Sequence, residues 1–143
     1  MIKVEKYAEI DEEKVVQFIR GAQANAEPDR EILLRSVLIK DADDVVGMVS
    51  YEPHGSMGVV RYFLYDARIA GADLVLEMFL KLYEKARQMG VKKLIAQAST
   101  PEVKSLFELL GFIEVVKDLP KFIDLTGQSA VVMIKFLEEK VSE

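Results

Sequence analysis

An α/β fold, one mixed and mostly antiparallel sheet flanked by helices, is predicted by three features of the 143-residue sequence. Its first half carries short apolar runs of period two, cut by turn residues. After residue 70 the period lengthens to about 3.6 over one long segment. Strand-like and helix-like segments then alternate to the C-terminus, as in sheets that carry crossover helices.

Ile2 to Glu9 alternates as a strand, and Asp11 opens a helix with Val15, Val16, Phe18 and Ile19 on one stripe. Ala22 to Asp29 is small and polar, and a short helical turn is expected over Arg30 to Leu34. Ser36 to Lys40 and Val45 to Glu52 read as paired strands around the turn Asp41-Ala42-Asp43-Asp44, where aspartate side chains bond nearby amides. Pro53-His54-Gly55-Ser56 reads as a second turn. It leads to a fourth strand, Val59 to Tyr65, whose near-continuous apolar run predicts burial on both faces.

Val75, Met78, Phe79, Leu82, Tyr83 and Ala86 form one face of the long helix, which Gly90 ends as a left-handed cap. Val91 to Ala98 is the fifth strand. A short helix follows, started either by Ser99 with Glu102 as a capping box or by Thr100 with Pro101 first in the helix, and it stops at Gly111. Phe112 to Lys117 and Ala130 to Phe136 close the sheet, giving about seven strands in one domain over residues 1–143.

Composition narrows the chemistry. Hydrophobic residues make up 50% and charged residues 30%, ordinary for a soluble domain. No apolar run approaches the roughly 18 residues of a membrane span, and the alternating N-terminus is no signal peptide, so a cytoplasmic protein is expected. The absence of cysteine excludes disulfides, thiolate nucleophiles and cysteine–zinc sites, and the single histidine, His54, excludes multi-histidine metal sites. A net charge of −5 without a basic stripe excludes nucleic acid as the expected partner.

The element order, with Val46-Gly47-Met48-Val49 on the third strand and Leu109-Leu110-Gly111-Phe112 late in the chain, resembles the GNAT superfamily of acyl-coenzyme A-dependent N-acyltransferases. The resemblance spans nearly the whole chain and is tightest from Val45 to Phe112. The family's cofactor signature (Gln or Arg, two residues, Gly, one residue, then Gly or Ala) corresponds to Arg68-Ile69-Ala70-Gly71-Ala72-Asp73. Arg68 and Gly71 fit it, whereas Asp73 departs. A helix N-terminus with small residues suits a pyrophosphate, but an aspartate in the first turn brings its own negative charge. It is also simply a favourable first-turn residue.

The resemblance implies acetyl-coenzyme A as acyl donor. It places pantetheine against the backbone near Phe63 and Tyr65, and the phosphates against Arg68, Ile69, Ala70, Gly71, Ala72, Asp73 and Leu74. The tyrosine that many members use to protonate the leaving thiolate falls on Phe107, which has no hydroxyl. A glutamate base is common on the fourth strand, yet none lies between Pro53 and Tyr65, where Arg61 is the only certain charge. Glu52, Asp66 and Tyr65 are the candidate catalytic groups, with solvated strand-end charges or a rim aromatic as the structural alternatives. Tyr62 is a further candidate acid, on the face opposite Tyr65 if the strand is regular. Leu119 to Gln128, with Phe122, Ile123 and Leu125, either covers an acceptor pocket or packs on the sheet edge.

The expected function is acetyl transfer to a primary amine of a small molecule or protein, largely by positioning. The alternative is a catalytically inactive domain of the same fold, serving binding or regulation. Asp73, Phe107 and the acid-free fourth strand favour that alternative. A hydrolase built on His54, Glu52 and Ser56 is a distant third, since three residues on one turn need not converge and no oxyanion hole is evident. A homodimer through an edge strand and the identity of the acceptor are left open.

Overall fold

The computed structural model of the chain describes residues 1–115 and 131–137. Among them, strands β1 (Ile2–Lys6), β2 (Val37–Asp41), β3 (Asp44–His54), β4 (Met57–Tyr65), β5 (Lys93–Ala98), β6 (Ile113–Glu114) and β7 (Val131–Phe136) form one sheet. Its order is β1-β2-β3-β4-β5-β7-β6. Only the β4–β5 pair is parallel, and every other pairing is antiparallel. Helices α1 (Glu12–Ala22) and α2 (Arg30–Leu33) connect β1 to β2. Helix α3 (Ala72–Gln88) is the crossover between β4 and β5, and α4 (Pro101–Leu109) follows β5.

Two helix starts carry a side-chain cap. Asp29 caps α2 by accepting from the Glu31 amide, and Thr100 caps α4 by accepting from the Val103 amide with Pro101 at the first helical position. Of the two starts expected for α4, the Thr100 cap is therefore the one formed. Gly90 and Gly111 end α3 and α4 with φ of 85° and 95°, a conformation that favours glycine.

The core lies mainly between α3 and the sheet. Val75, Met78, Phe79, Leu82, Tyr83 and Ala86, the predicted stripe, are all buried. They pack with Val37, Ile39, Val49 and Tyr51 on one sheet face. A second cluster on the opposite face joins Val15 and Ile19 of α1 to Leu38 and Met48. Each of the Val, Leu, Ile, Met and Phe side chains among them contributes on the order of 1.5–3 kcal/mol when removed from water.

Several boundaries differ from expectation, among them the starts of β3 at Asp44 and of β4 at Met57. The first strand ends at Lys6, because Asp11 turns back: its carboxylate accepts from the Ala8 amide at 3.0 Å and from Lys40 at 2.7 Å, fixing a 3-10 turn before α1. Pro53 and His54 belong to β3 rather than to a turn, and the connection is a tight one at Gly55-Ser56, with Gly55 at φ 65°. Proline is tolerated there because β2 pairs with β3 only as far as Val49, leaving that edge open. The fifth strand starts at Lys93, and β6 starts at Ile113 and covers Ile113–Glu114 among the described residues, with Val116 and Lys117 lying outside them. The fourth strand is half-buried rather than enclosed on both faces. Its neighbour β5 departs after Val59, so the apolar side chains beyond line an open gap. The segment Leu119 to Gln128 lies outside the described residues.

Candidate active site at the gap between β4 and β5

The parallel pair β4–β5 is joined only at Met57–Lys93, Gly58–Leu94 and Val59–Ile95. Beyond this hinge the strands diverge, and among the described residues the edge of β4 that turns away from β3 has no strand partner from Val60 to Tyr65. Backbone N–H and C=O groups of such an edge are available to an extended ligand. The gap holds about 560 Å³ and is closed on one side by Val103, Leu106 and Phe107 of α4.

A bulge in β4 shapes this gap. Ser50 pairs with Arg61 but Met48 with Leu64, so β4 carries one extra residue. Tyr62 sits at the bulge with φ 50°, a conformation that costs a non-glycine residue on the order of 1–3 kcal/mol. Its hydroxyl accepts from the Asp29 amide at 3.1 Å, and its ring packs with the α1 cluster. Tyr62 therefore faces away from the gap. Phe63 and Tyr65 face into it on the α3 side, stacked at 5.5 Å. The expected opposition of Tyr62 and Tyr65 is present.

The gap has two unlike ends, because it passes through the sheet. Alternation along β3 puts Met48, Ser50, Glu52 and His54 on the α1 face, and cross-strand register puts Val59 and Arg61 with them. On that face the Glu52 carboxylate forms an ion pair with Arg61 Nη1 at 3.1 Å and lies 3.2 Å from His54 Nε2. On the α3 and α4 face the lining is aromatic. Phe107 is 3% exposed. Its ring meets Phe63 at 5.7 Å and Phe112 at 5.0 Å. Phe107 thus stands at the wall of the gap as packing, with no proton to give. Tyr65, 37% exposed, carries the one phenol hydroxyl among the described lining residues.

The loop from Asp66 to Leu74 follows at the open end of β4. Asp66 is committed within it. Its main-chain carbonyl accepts from the Ile69 and Ala70 amides, and its carboxylate accepts from the Arg68 amide at 3.0 Å. The same carboxylate receives Arg68 Nε at 3.1 Å and Nη2 at 2.9 Å. The side-chain and amide bonds from Arg68 hold the Asp66 carboxyl below its ordinary range, and Asp66 raises Arg68 in turn. This pair leaves Asp66 poorly placed as a base and turns the guanidinium back on its own loop.

Gly71 is the N-cap of α3, and the Leu74 and Val75 amides both bond its carbonyl. Of the amides from Ile69 to Leu74, those of Gly71, Ala72 and Asp73 have no backbone acceptor among the described residues. A Cβ on Gly71 would meet nothing within 4 Å, so the approach is open. Ala70 is buried in the core, while Gly71, Ala72 and Asp73 are exposed. Backbone and space therefore fit an anion at this helix end, and the Asp73 carboxylate opposes one.

Arg61 and Gln97, with Val103 and Leu106 of α4, line the gap without having been predicted as site residues. The signal for Arg61 was the tight Gly55-Ser56 turn, which fixes the register that brings it diagonally beside Glu52. Ser56 does not line the gap, so His54, Glu52 and Ser56 are not gathered as a hydrolase would need. No group of three or more potential metal ligands occurs among the described residues. No described helix is long and apolar enough to cross a membrane.

No protein-family model and no curated protein matches the sequence. Solved structures do match. N-acetylglutamate synthase from Neisseria gonorrhoeae, complexed with coenzyme A and N-acetyl-glutamate, superposes with a TM-score of 0.76 at 14% identity, over 97% of this chain. This chain spans only 36% of that protein's length. A GNAT-family acetyltransferase from Staphylococcus aureus Mu50 has a TM-score of 0.71 at 15% identity, covering 96% of this chain and 100% of its own. The PaiA N-acetyltransferase of Thermoplasma acidophilum, in complex with coenzyme A, gives 0.67 at 12% identity, covering 95% and 99%. Superposing over nearly its whole length, the chain has the fold of the GNAT-family acetyltransferases.

Proposed function

We propose that this chain is an acyl-coenzyme A-dependent N-acyltransferase, moving an acetyl group to a primary amine of a small molecule or protein. The observation that carries the proposal is the edge of β4 from Val60 to Tyr65, unpaired among the described residues and opening onto a gap of about 560 Å³. An edge of this kind is costly unless used or covered, and its dimensions suit an extended amide-containing arm. Acetyl-coenzyme A supplies the activated thioester when bound.

The chain's own groups do the rest. The β4 backbone near Phe63 and Tyr65 holds the pantetheine arm, and the amides of Gly71, Ala72 and Asp73 receive the pyrophosphate. The acceptor enters from the opposite face, where Glu52 lies. Glu52 orients the amine and takes its proton, and Tyr65 offers its hydroxyl to the departing sulfur. Positioning two reactants from opposite sides of one slot supplies much of the rate, since effective molarities of oriented partners are large.

A thermal-shift titration with acetyl-coenzyme A, followed by thiol release with a panel of amines, tests this. At about 100 times its dissociation constant the ligand adds about 2.7 kcal/mol, or roughly 5–10 °C for a chain of this size. Glu52→Gln should keep that shift while lowering turnover about 100-fold. No shift at millimolar ligand refutes the proposal.

A second reading, a domain of this fold that binds without catalysing, is favoured by the Asp73 carboxylate at the phosphate end and by Phe107 at the acid position. It predicts a ligand shift with no thiol release from any amine.

A further inference from the structure

Among the described residues lining the gap, Glu52 and Arg61 are the only ones with a formal carboxylate or cation other than His54. They stand side by side on the acceptor face, 3.1 Å apart, both part-exposed, with His54 on the other Glu52 oxygen. A carboxylate meant for a simple amine or a diamine would be left unopposed, so that the incoming cation is attracted without competition. Here a guanidinium already occupies it, and a carboxylate-free cation entering beside Arg61 meets like charge at contact range. A ligand with both an ammonium and a carboxylate meets no such conflict. It exchanges the internal pair for two intermolecular pairs, with the flat fork of Arg61 suited to a planar carboxylate.

We infer that the acceptor is a zwitterionic amine, an amino acid, whose ammonium is held by Glu52 and whose carboxylate is held by Arg61. This rests on the acyltransferase proposal and specifies its substrate class. The covalent step balances simply. The ammonium first gives one proton to Glu52, and the neutral amine nitrogen then forms a bond to the acyl carbon as the carbon–sulfur bond breaks. The second proton shed by the nitrogen offsets the one the thiolate takes up to leave as thiol.

The test is thiol release from acetyl-coenzyme A with matched acceptors: free α-amino acids, their α-carboxamides, a diamine, and a lysine peptide blocked at both ends. The free acids should exceed their carboxamides by about tenfold or more in kcat/KM, mainly through KM, as loss of a charged hydrogen bond predicts. Arg61→Gln should bring that ratio close to one, and Arg61→Lys should restore part of it. Thermal melts of both variants report whether they fold, and the acid-to-amide ratio within one variant is independent of how much of it is active. Preference for the diamine or the blocked peptide, or an acid-to-amide ratio unmoved by Arg61→Gln, overturns the inference while the acyltransferase proposal stands. Acetyl-coenzyme A binding without thiol release from any acid overturns it as well. Absence of both binding and release overturns the acyltransferase proposal itself and the inference with it.

Discussion

Replacing Asp73 by asparagine separates two effects of one carboxylate that have opposite signs. The side chain is exposed in the first turn of α3, beside the amides of Gly71, Ala72 and Asp73, which have no backbone acceptor among the described residues. With no bound anion its charge favours the helix end by about 0.3–1 kcal/mol. The variant should therefore melt about 1–3 °C lower in the absence of ligand. A diphosphate on those amides would bring two further negative charges, taken at a separation of about 6 Å from the carboxylate. At the dielectric of water each pair costs about 0.7 kcal/mol, together about 1.4 kcal/mol, or tenfold in affinity. Asp73→Asn should then bind coenzyme A about tenfold more tightly in low salt by isothermal titration. At about 1 M salt the screening length shrinks to about 3 Å and most of the gain should vanish. An unchanged affinity, or a gain indifferent to salt, would refute the reasoning and place the phosphates away from the α3 terminus.

Three further outcomes follow from the packing, the ion pairs and the acceptor face. Phe107→Ala removes a ring enclosed by Phe63, Phe79 and Phe112 and should cost about 3–5 kcal/mol in urea unfolding; a cost under about 1 kcal/mol would mean that the wall of the gap collapses freely. For Lys40, burial opposes the charge, but bonds to Asp11 and Glu5 outweigh it and hold the ammonium's pKa above the ordinary lysine value of 10.5. Because the folded value is the higher one, the stabilisation is complete below about pH 10.5 and is lost as pH rises through the folded value. Urea midpoints of wild type and Lys40→Met should differ at pH 8 and converge above that range, and parallel curves would contradict this. On the acceptor face, Arg61→Gln should abolish the preference for free acids over their carboxamides.

The elements that were legible in the sequence are those set by local chemistry. The stripe from Val75 to Ala86 needed only helical spacing, and Gly90, Thr100 and Pro101 act within a turn of where they stand. The fold class followed from their order. The gap itself was not legible, because it depends on where two strands part. An apolar run such as Val59 to Tyr65 looks alike whether it fills a core or lines a slot. The bulge at Tyr62 gave no signal either, since a tyrosine with positive φ is held there by tertiary contacts and not by its own preference. Glu52 emerged as a candidate from its position at a strand end. Its pairing with Arg61 required the register of a hairpin whose turn is two residues shorter than Pro53-His54-Gly55-Ser56 suggested. Asp66 and Arg68 were both visible, but the bidentate pair between them is a property of the loop's folded path.

The central claim is that the parted edge of β4 is a coenzyme A site, and a crystal structure of the protein grown with coenzyme A tests it most directly. The account predicts the pantetheine arm extended along Val60 to Tyr65 and the phosphates at Gly71, Ala72 and Asp73. Coenzyme A seated elsewhere, with the gap between β4 and β5 closed or filled by other side chains, would contradict it.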